Sequence, residues 1–258
     1  MSSYLIVYTA AALASGLTLF SGFGLSTLLM PVMALFFPIP TAIAMTALVH
    51  LFNNLFKLVL LGRHARKEIV WKFGLPALVS AWFGAQLLVT FSTMPAIAAY
   101  QLFGTEHIIT PVKCLAAVLM ASFALLEVVP RLQSISFKPS FLPVGGFLSG
   151  FFGGLSGNQG AFRSAFLAKC GLSKEEFLGT GVASAVLVDL ARISVYMSHF
   201  QSIGLEGKAP LIVWVTLSAF LGSWIGSRFM WKVTLRAIRI LVVVLLMCIA
   251  AGLGSGIL

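Results

Sequence analysis

Apolar residues run along this chain in long stretches, and the charged residues collect in short breaks between them. A helix rises 1.5 Å per residue, so about 20 apolar residues cross the roughly 30 Å hydrocarbon core of a bilayer. The pattern predicts an all-α, polytopic integral membrane protein. The first apolar block covers residues 4–37. As one helix it would extend about 51 Å, too long for a single unbroken crossing. It breaks at Ser21-Gly22-Phe23-Gly24, where glycine permits a tight turn, and Pro38-Ile39-Pro40 ends it.

Plain helices follow over residues 41–61 and 69–91. A loop holding Thr93, Pro95, Glu106 and His107 leads to a further helix over 110–129, which Pro130 closes. The second half repeats the layout. A long block over 143–170 is interrupted from Gly153 to Gly160, and helices over 177–198, 211–230 and 235–252 complete it. The chain thus divides into a first repeat (1–130), a polar linker (131–142) and a second repeat (143–258). Each repeat has one glycine-broken segment and three transmembrane helices. Paired interrupted segments of this kind point to a transporter built around discontinuous helices.

Basic residues fix the orientation. They gather at Arg63, Arg66 and Lys67, at Arg131 and Lys138, and from Arg228 through Lys232 and Arg236 to Arg239. Short loops rich in Lys and Arg stay in the cytoplasm. All of these connections lie inside only if the second broken block folds back as a re-entrant hairpin, which makes the two repeats inverted. A kinked single crossing in each half is the rival arrangement.

Composition sharpens this picture: 59% of residues are apolar and only 9% charged. No polar stretch is long enough for a soluble domain. The net charge of +10 reports orientation and attraction to anionic membrane lipids, not nucleic-acid binding. The N-terminal segment lacks a basic n-region and stays apolar past the length of a signal peptide, as a retained helix does. Cys114, Cys170 and Cys248 are widely spaced in apolar surroundings and suggest buried thiols. The four histidines show no metal-ligand spacing, no GxSxG elbow occurs, and the glycine run 150–157 lacks the Lys-Ser/Thr of a phosphate loop. We therefore expect no cofactor, no metal and no enzyme.

The two glycine breaks carry the candidate chemistry. A new helix start in mid-membrane exposes backbone N–H groups and a partial positive pole that suits a small anion. Gly22, Gly24, Ser26 and Thr27 belong to the first break, and Gly157, Asn158, Gln159 and Gly160 to the second. Close helix packing is the alternative use of such glycines. Arg163 has no charged neighbour within five residues, and a membrane-embedded cation is costly unless paired or hydrated. It suits an oxyanion, an ion pair with Asp189 or Glu127, or a snorkelling position near Lys169.

Asp189 and Arg192 are spaced to pair on one helix, either as a structural couple or as a proton-exchanging one. His50, Asn53 and Asn54 form a polar patch that serves proton coupling, anion contact or helix–helix bonding. Lys57 is expected to snorkel to the nearby basic break, and Gln86 to hold helices together.

The run Leu19-Phe20-Ser21-Gly22-Phe23-Gly24-Leu25-Ser26-Thr27-Leu28-Leu29-Met30-Pro31 resembles the opening signature of the TauE/SafE family of sulfite and organosulfonate exporters, a FGxGGG-like turn followed by an apolar run and proline. Ser156-Gly157-Asn158-Gln159-Gly160-Ala161-Phe162-Arg163 is similar to its second copy. Ala44-Met45-Thr46-Ala47 and Leu178-Gly179-Thr180-Gly181 resemble the family's AxGTS-like element. Leu25 and Ser26 stand where two glycines are usual, and Asn158, Gln159, Ala161 and Arg163 depart from the second copy. The resemblance implies a secondary transporter of small sulfur oxyanions or organosulfonates in a prokaryotic cell membrane. An anion channel and a membrane scaffold are the alternatives. Apolar faces rich in small residues leave homodimerisation open.

Overall fold

The structure, a computed structural model, describes residues 2–21, 24–102, 104–129, 131, 135–229 and 235–258. The first half contains α1 (Ser2–Ser21), α2 (Leu25–Ala34), α3 (Ile39–Leu61), α4 (Lys67–Ser92) and α5 (Pro111–Val128). The second half contains α6 (Leu142–Ser156), α7 (Gly160–Leu167), α8 (Lys174–Ser198), α9 (Ala209–Phe229) and α10 (Leu235–Gly254). Among the described residues, four helices are long and apolar enough to cross a membrane: Ile39–His64 (α3 with its 3-10 extension), Lys67–Ser92, Lys174–Ser198 and Ala209–Gly226. The expected all-α polytopic membrane architecture is present.

Both long blocks break. α1 and α2 have 20 and 10 residues, α6 and α7 have 15 and 8. At 1.5 Å per residue, α2 and α7 are about 15 and 12 Å long, too short to cross a bilayer alone. The second break is narrower than expected. Gly153 and Gly154 remain helical, because they serve packing, and α6 ends only at Ser156.

Local chemistry sets the other helix ends. Pro40 and Pro111 occupy the first turns of α3 and α5, where a missing N–H costs nothing, and Thr110 caps α5 by accepting from the Lys113 N–H. α8 starts three residues before the expected Phe177. A capping box explains this: Ser173 Oγ accepts from the Glu176 N–H at 3.2 Å, while Glu176 Oε2 accepts from the Ser173 N–H at 2.9 Å. The expected loop before α5 contains a small antiparallel hairpin, β1 (Ala98–Leu102) with β2 (Thr105–Ile109), in which Tyr100 faces His107. Both strands are largely exposed, so neither carries the apolar alternation that announces a half-buried strand.

Small residues bring helices into backbone contact. Gly146, Gly150 and Gly154 form a stripe on α6, and a Cβ on them would fall on the carbonyl oxygens of Phe73, Ala77 and Ala81 in α4. Gly222 of α9 meets the Ala12 carbonyl of α1 in the same way, with Gly16 and Gly226 beside it. A large apolar core including Leu29, Met33, Met45, Met120, Val195, Val215 and Leu246 ties together α2, α3, α5, α8, α9 and α10. A smaller one around Phe73, Ala81, Phe166 and Val188 joins α4, α7 and α8. α3 packs against α8 across the two halves, and this contact carries the site.

Candidate functional site

The two breaks meet. Gly157 ends α6 in the left-handed region (φ +82°), where its N–H donates to the Gly153 carbonyl at 2.9 Å. A Cβ there would lie 3.4 Å from Ser26 Cβ, at the start of α2, and 3.1 Å from Arg192 Nη1. Gly24, which precedes α2 in extended conformation, sits against His50, whose Nε2 would be 3.7 Å from an added Cβ. Gly22 lies outside the described residues. Thr27 and Gly160 are buried beside these turns. Ser26 Oγ and Asn158 Oδ1 are buried without a hydrogen-bond partner.

Asp189 is the hub. It is fully buried on α8 and accepts bonds from both halves of the chain. Its Oδ1 receives Arg192 Nη2 at 2.7 Å, Arg192 Nε at 3.1 Å and Gln159 Nε2 at 3.2 Å. Its Oδ2 receives Asn54 Nδ2 at 3.0 Å and lies 2.7 Å from His50 Nδ1. An ionised carboxylate only accepts, so His50 donates from Nδ1 and turns Nε2 towards Gly24. Arg192 also donates to the Gly153 carbonyl at 3.3 Å, and Tyr196 donates to that of Gly154. Ser149 bonds the Gln159 carbonyl at 2.9 Å and steadies the turn. The spacing of Asp189 and Arg192 announced their pair; its reach to His50, Asn54 and Gln159 is a long-range contact.

Beside this network lies a cavity of about 50 Å³. One stripe of α3 lines it through His50, Asn54, Lys57 and Leu61. Arg163, Ser164 and Leu167 of α7 line a second wall, Phe177, Leu178, Gly181 and Val182 of α8 a third, and Thr18, Gly24 and Leu25 close the end at the first break. Among the described residues that line it, none carries a carboxylate. A water requires about 10–15 Å³, so the space suits a few waters.

Three expectations are corrected here. Lys57 does not reach an exposed position at the basic break: it is 7% exposed and lines the cavity. Asn53 does not share a patch with His50. Successive helical residues turn by about 100°, so Asn53 and Asn54 fall on opposite sides of the direction His50 takes. Only Asn54 joins Asp189; Asn53 Oδ1 accepts from Ser15 Oγ at 3.1 Å and Ser223 Oγ at 3.0 Å, between α1 and α9. Arg163 forms no ion pair with Asp189, whose oxygens are taken by Arg192, Gln159, Asn54 and His50. The Glu127 side chain lies outside the described residues. Arg163 instead faces Gly181 (Nε 3.4 Å from an added Cβ), and its Nη1 is buried without a partner.

Apolar helices, two of the blocks broken, with buried charges gathered where the breaks meet, define a multi-pass α-helical membrane protein with a polar site inside it. Residues 7–253 match the family model of the sulfite exporter TauE/SafE, and the chain belongs to that family. Its members are membrane transporters of sulfur compounds, not enzymes. Neither the curated proteins nor the solved structures gave a match.

Proposed function

We propose that the protein is a secondary transporter of small anions, sulfur oxyanions or organosulfonates, working by alternating access in a prokaryotic cell membrane. The single observation that carries this is the cavity at the junction of the breaks, lined by Lys57, Arg163, His50 and Asn54 and, among the described residues, by no carboxylate. The anion replaces water there. Arg163 contributes a charged fork, the N–H groups at the start of α2 contribute a positive pole, and Ser26, Thr27, Asn158 and Gln159 shape the turns.

Alternating access follows from two inverted repeats that rock against each other. Partner exchange supports this: the first helix of each half packs against the fourth of the other, α1 on α9 and α6 on α4. The same spacing separates Ser15 from Ser149, Gly16 from Gly150 and Thr46 from Thr180. The cavity runs along α3 towards Leu61, the end that carries the basic break. By the charge rule that end is cytoplasmic. His50, bonded to Asp189 on one nitrogen and facing the cavity with the other, is the group through which a proton couples to the anion.

Reconstitution tests the proposal. Proteoliposomes loaded with sulfite, sulfate, thiosulfate, sulfonates or small carboxylates should show saturable counterflow for at least one sulfur oxyanion or sulfonate. Conductance without saturation would make the protein a channel, and absence of flux for the whole panel would leave a scaffold. Labelling of single cysteines from the cytoplasmic side at positions 66, 134 and 232, and from outside at 105 and 207, tests the inverted topology.

A further inference from the structure

Resting on that transporter proposal, we infer that Lys57 and Arg163 act together as a charge filter that favours a compact divalent oxyanion over a monovalent one of equal size. The charges of the site, buried at Lys57, Asp189 and Arg192 and half-buried at Arg163, divide into two groups. Arg192 is neutralised by Asp189, with two of its nitrogens on one carboxylate oxygen. Lys57 and Arg163 have no such partner. Among the described residues neither forms an ion pair, and one guanidinium nitrogen of Arg163 has no hydrogen-bond acceptor at all.

Both line the same small cavity, from facing helices. Asp189 does not line it. The carboxylate stands behind His50 and Asn54, which occupy its second oxygen, so its charge reaches Arg163 only across that layer and it does not meet an incoming anion directly. Two cations without a bonded counter-ion beside one small cavity are costly, and the cost is relieved by two negative charges more fully than by one. Lys57 is thus a specificity residue. It distinguishes charge, while Arg163 with its planar fork orients the oxygens.

Sulfate and methanesulfonate are fixed-charge probes of similar size at pH 6.5, one divalent and one monovalent. Binding of each to the purified protein, followed calorimetrically, should favour sulfate by at least about tenfold, as expected where each charge gains a separate charged partner. Lys57→Gln should remove most of that preference by weakening sulfate, with methanesulfonate changing by less than about threefold. Lys57→Arg keeps the charge and should keep the preference, which separates loss of charge from loss of fold. Equal affinity of the parent protein for the two probes would overturn the inference while leaving the transporter proposal standing. So would equal weakening of both probes by Lys57→Gln. Failure of every anion to bind or move would overturn both.

Discussion

Asn53 and Asn54 are consecutive residues of α3 and belong to two different regions of the interior. Asn53 enters a neutral cluster with Ser15 and Ser223, whose hydroxyl oxygens lie 2.6 Å apart between α1 and α9. Asn54 enters the charged network around Asp189, beside the cavity. The first region joins helices that already touch through Gly16 and Gly222, and its side chains do not line the cavity beside Arg163. The second holds opposite charges, two turn residues and a titratable ring next to an open space. We propose that charge beside a cavity, and not buried polarity alone, marks the functional region of this molecule.

If this division is right, substitutions in the two regions differ in kind as well as size. The largest effect is expected at Asp189. Asp189→Asn leaves Arg192 buried without its counter-charge, a change that costs about 3–5 kcal/mol when one partner of a buried pair is lost. Thermal unfolding of the purified protein should show a large drop, together with loss of anion flux. A variant as stable and active as the parent would remove Asp189 from the centre of the site.

Gly157 comes next, with Gly104 as its control. Both have positive φ, so an alanine carries a similar backbone strain at each, about 1–2 kcal/mol. Around Gly104 an added Cβ meets nothing, whereas at Gly157 it presses on Arg192 and Ser26. Gly157→Ala should therefore slow flux well beyond any loss of stability it shares with Gly104→Ala. Matching flux in the two variants would mean that the contact between the breaks is incidental.

The smallest effect belongs to the neutral cluster. Asn53→Ala removes hydrogen bonds worth about 1 kcal/mol each and should lower unfolding temperature modestly, with the KM for transport unchanged. A raised KM would dissolve the distinction between the two regions.

Much of the architecture follows from features that are local in the chain. The length of each apolar run gives the helices, paired glycines near Gly24 and Gly157 give the breaks, and the spacing of Asp189 and Arg192 gives their ion pair. The capping box at Ser173 and Glu176, and the stripe Gly146, Gly150 and Gly154, were also readable as spacings, although the glycines serve packing rather than a turn. What the chain did not reveal depends on contacts between distant segments. Lys57 sits next to a basic loop in sequence, and only the approach of α7 and α8 to α3 encloses it. Asn53 and Asn54 carry the same side chain, so their separate fates are set by which helices lie on each side of α3. The hairpin at residues 98–109 lacks a buried face and hence a periodic signal.

The central claim is that an anion is held beside Arg163 where the two breaks meet. Direct binding of sulfite to purified parent, Arg163→Gln and Arg163→Lys proteins, each shown to be folded, tests it. The account predicts a strong loss of affinity for glutamine, because neutral donors replace a charged fork in a low-dielectric site, and a clear loss for lysine, because a point charge does not reproduce two parallel donors. Unchanged affinity in both variants would contradict the claim.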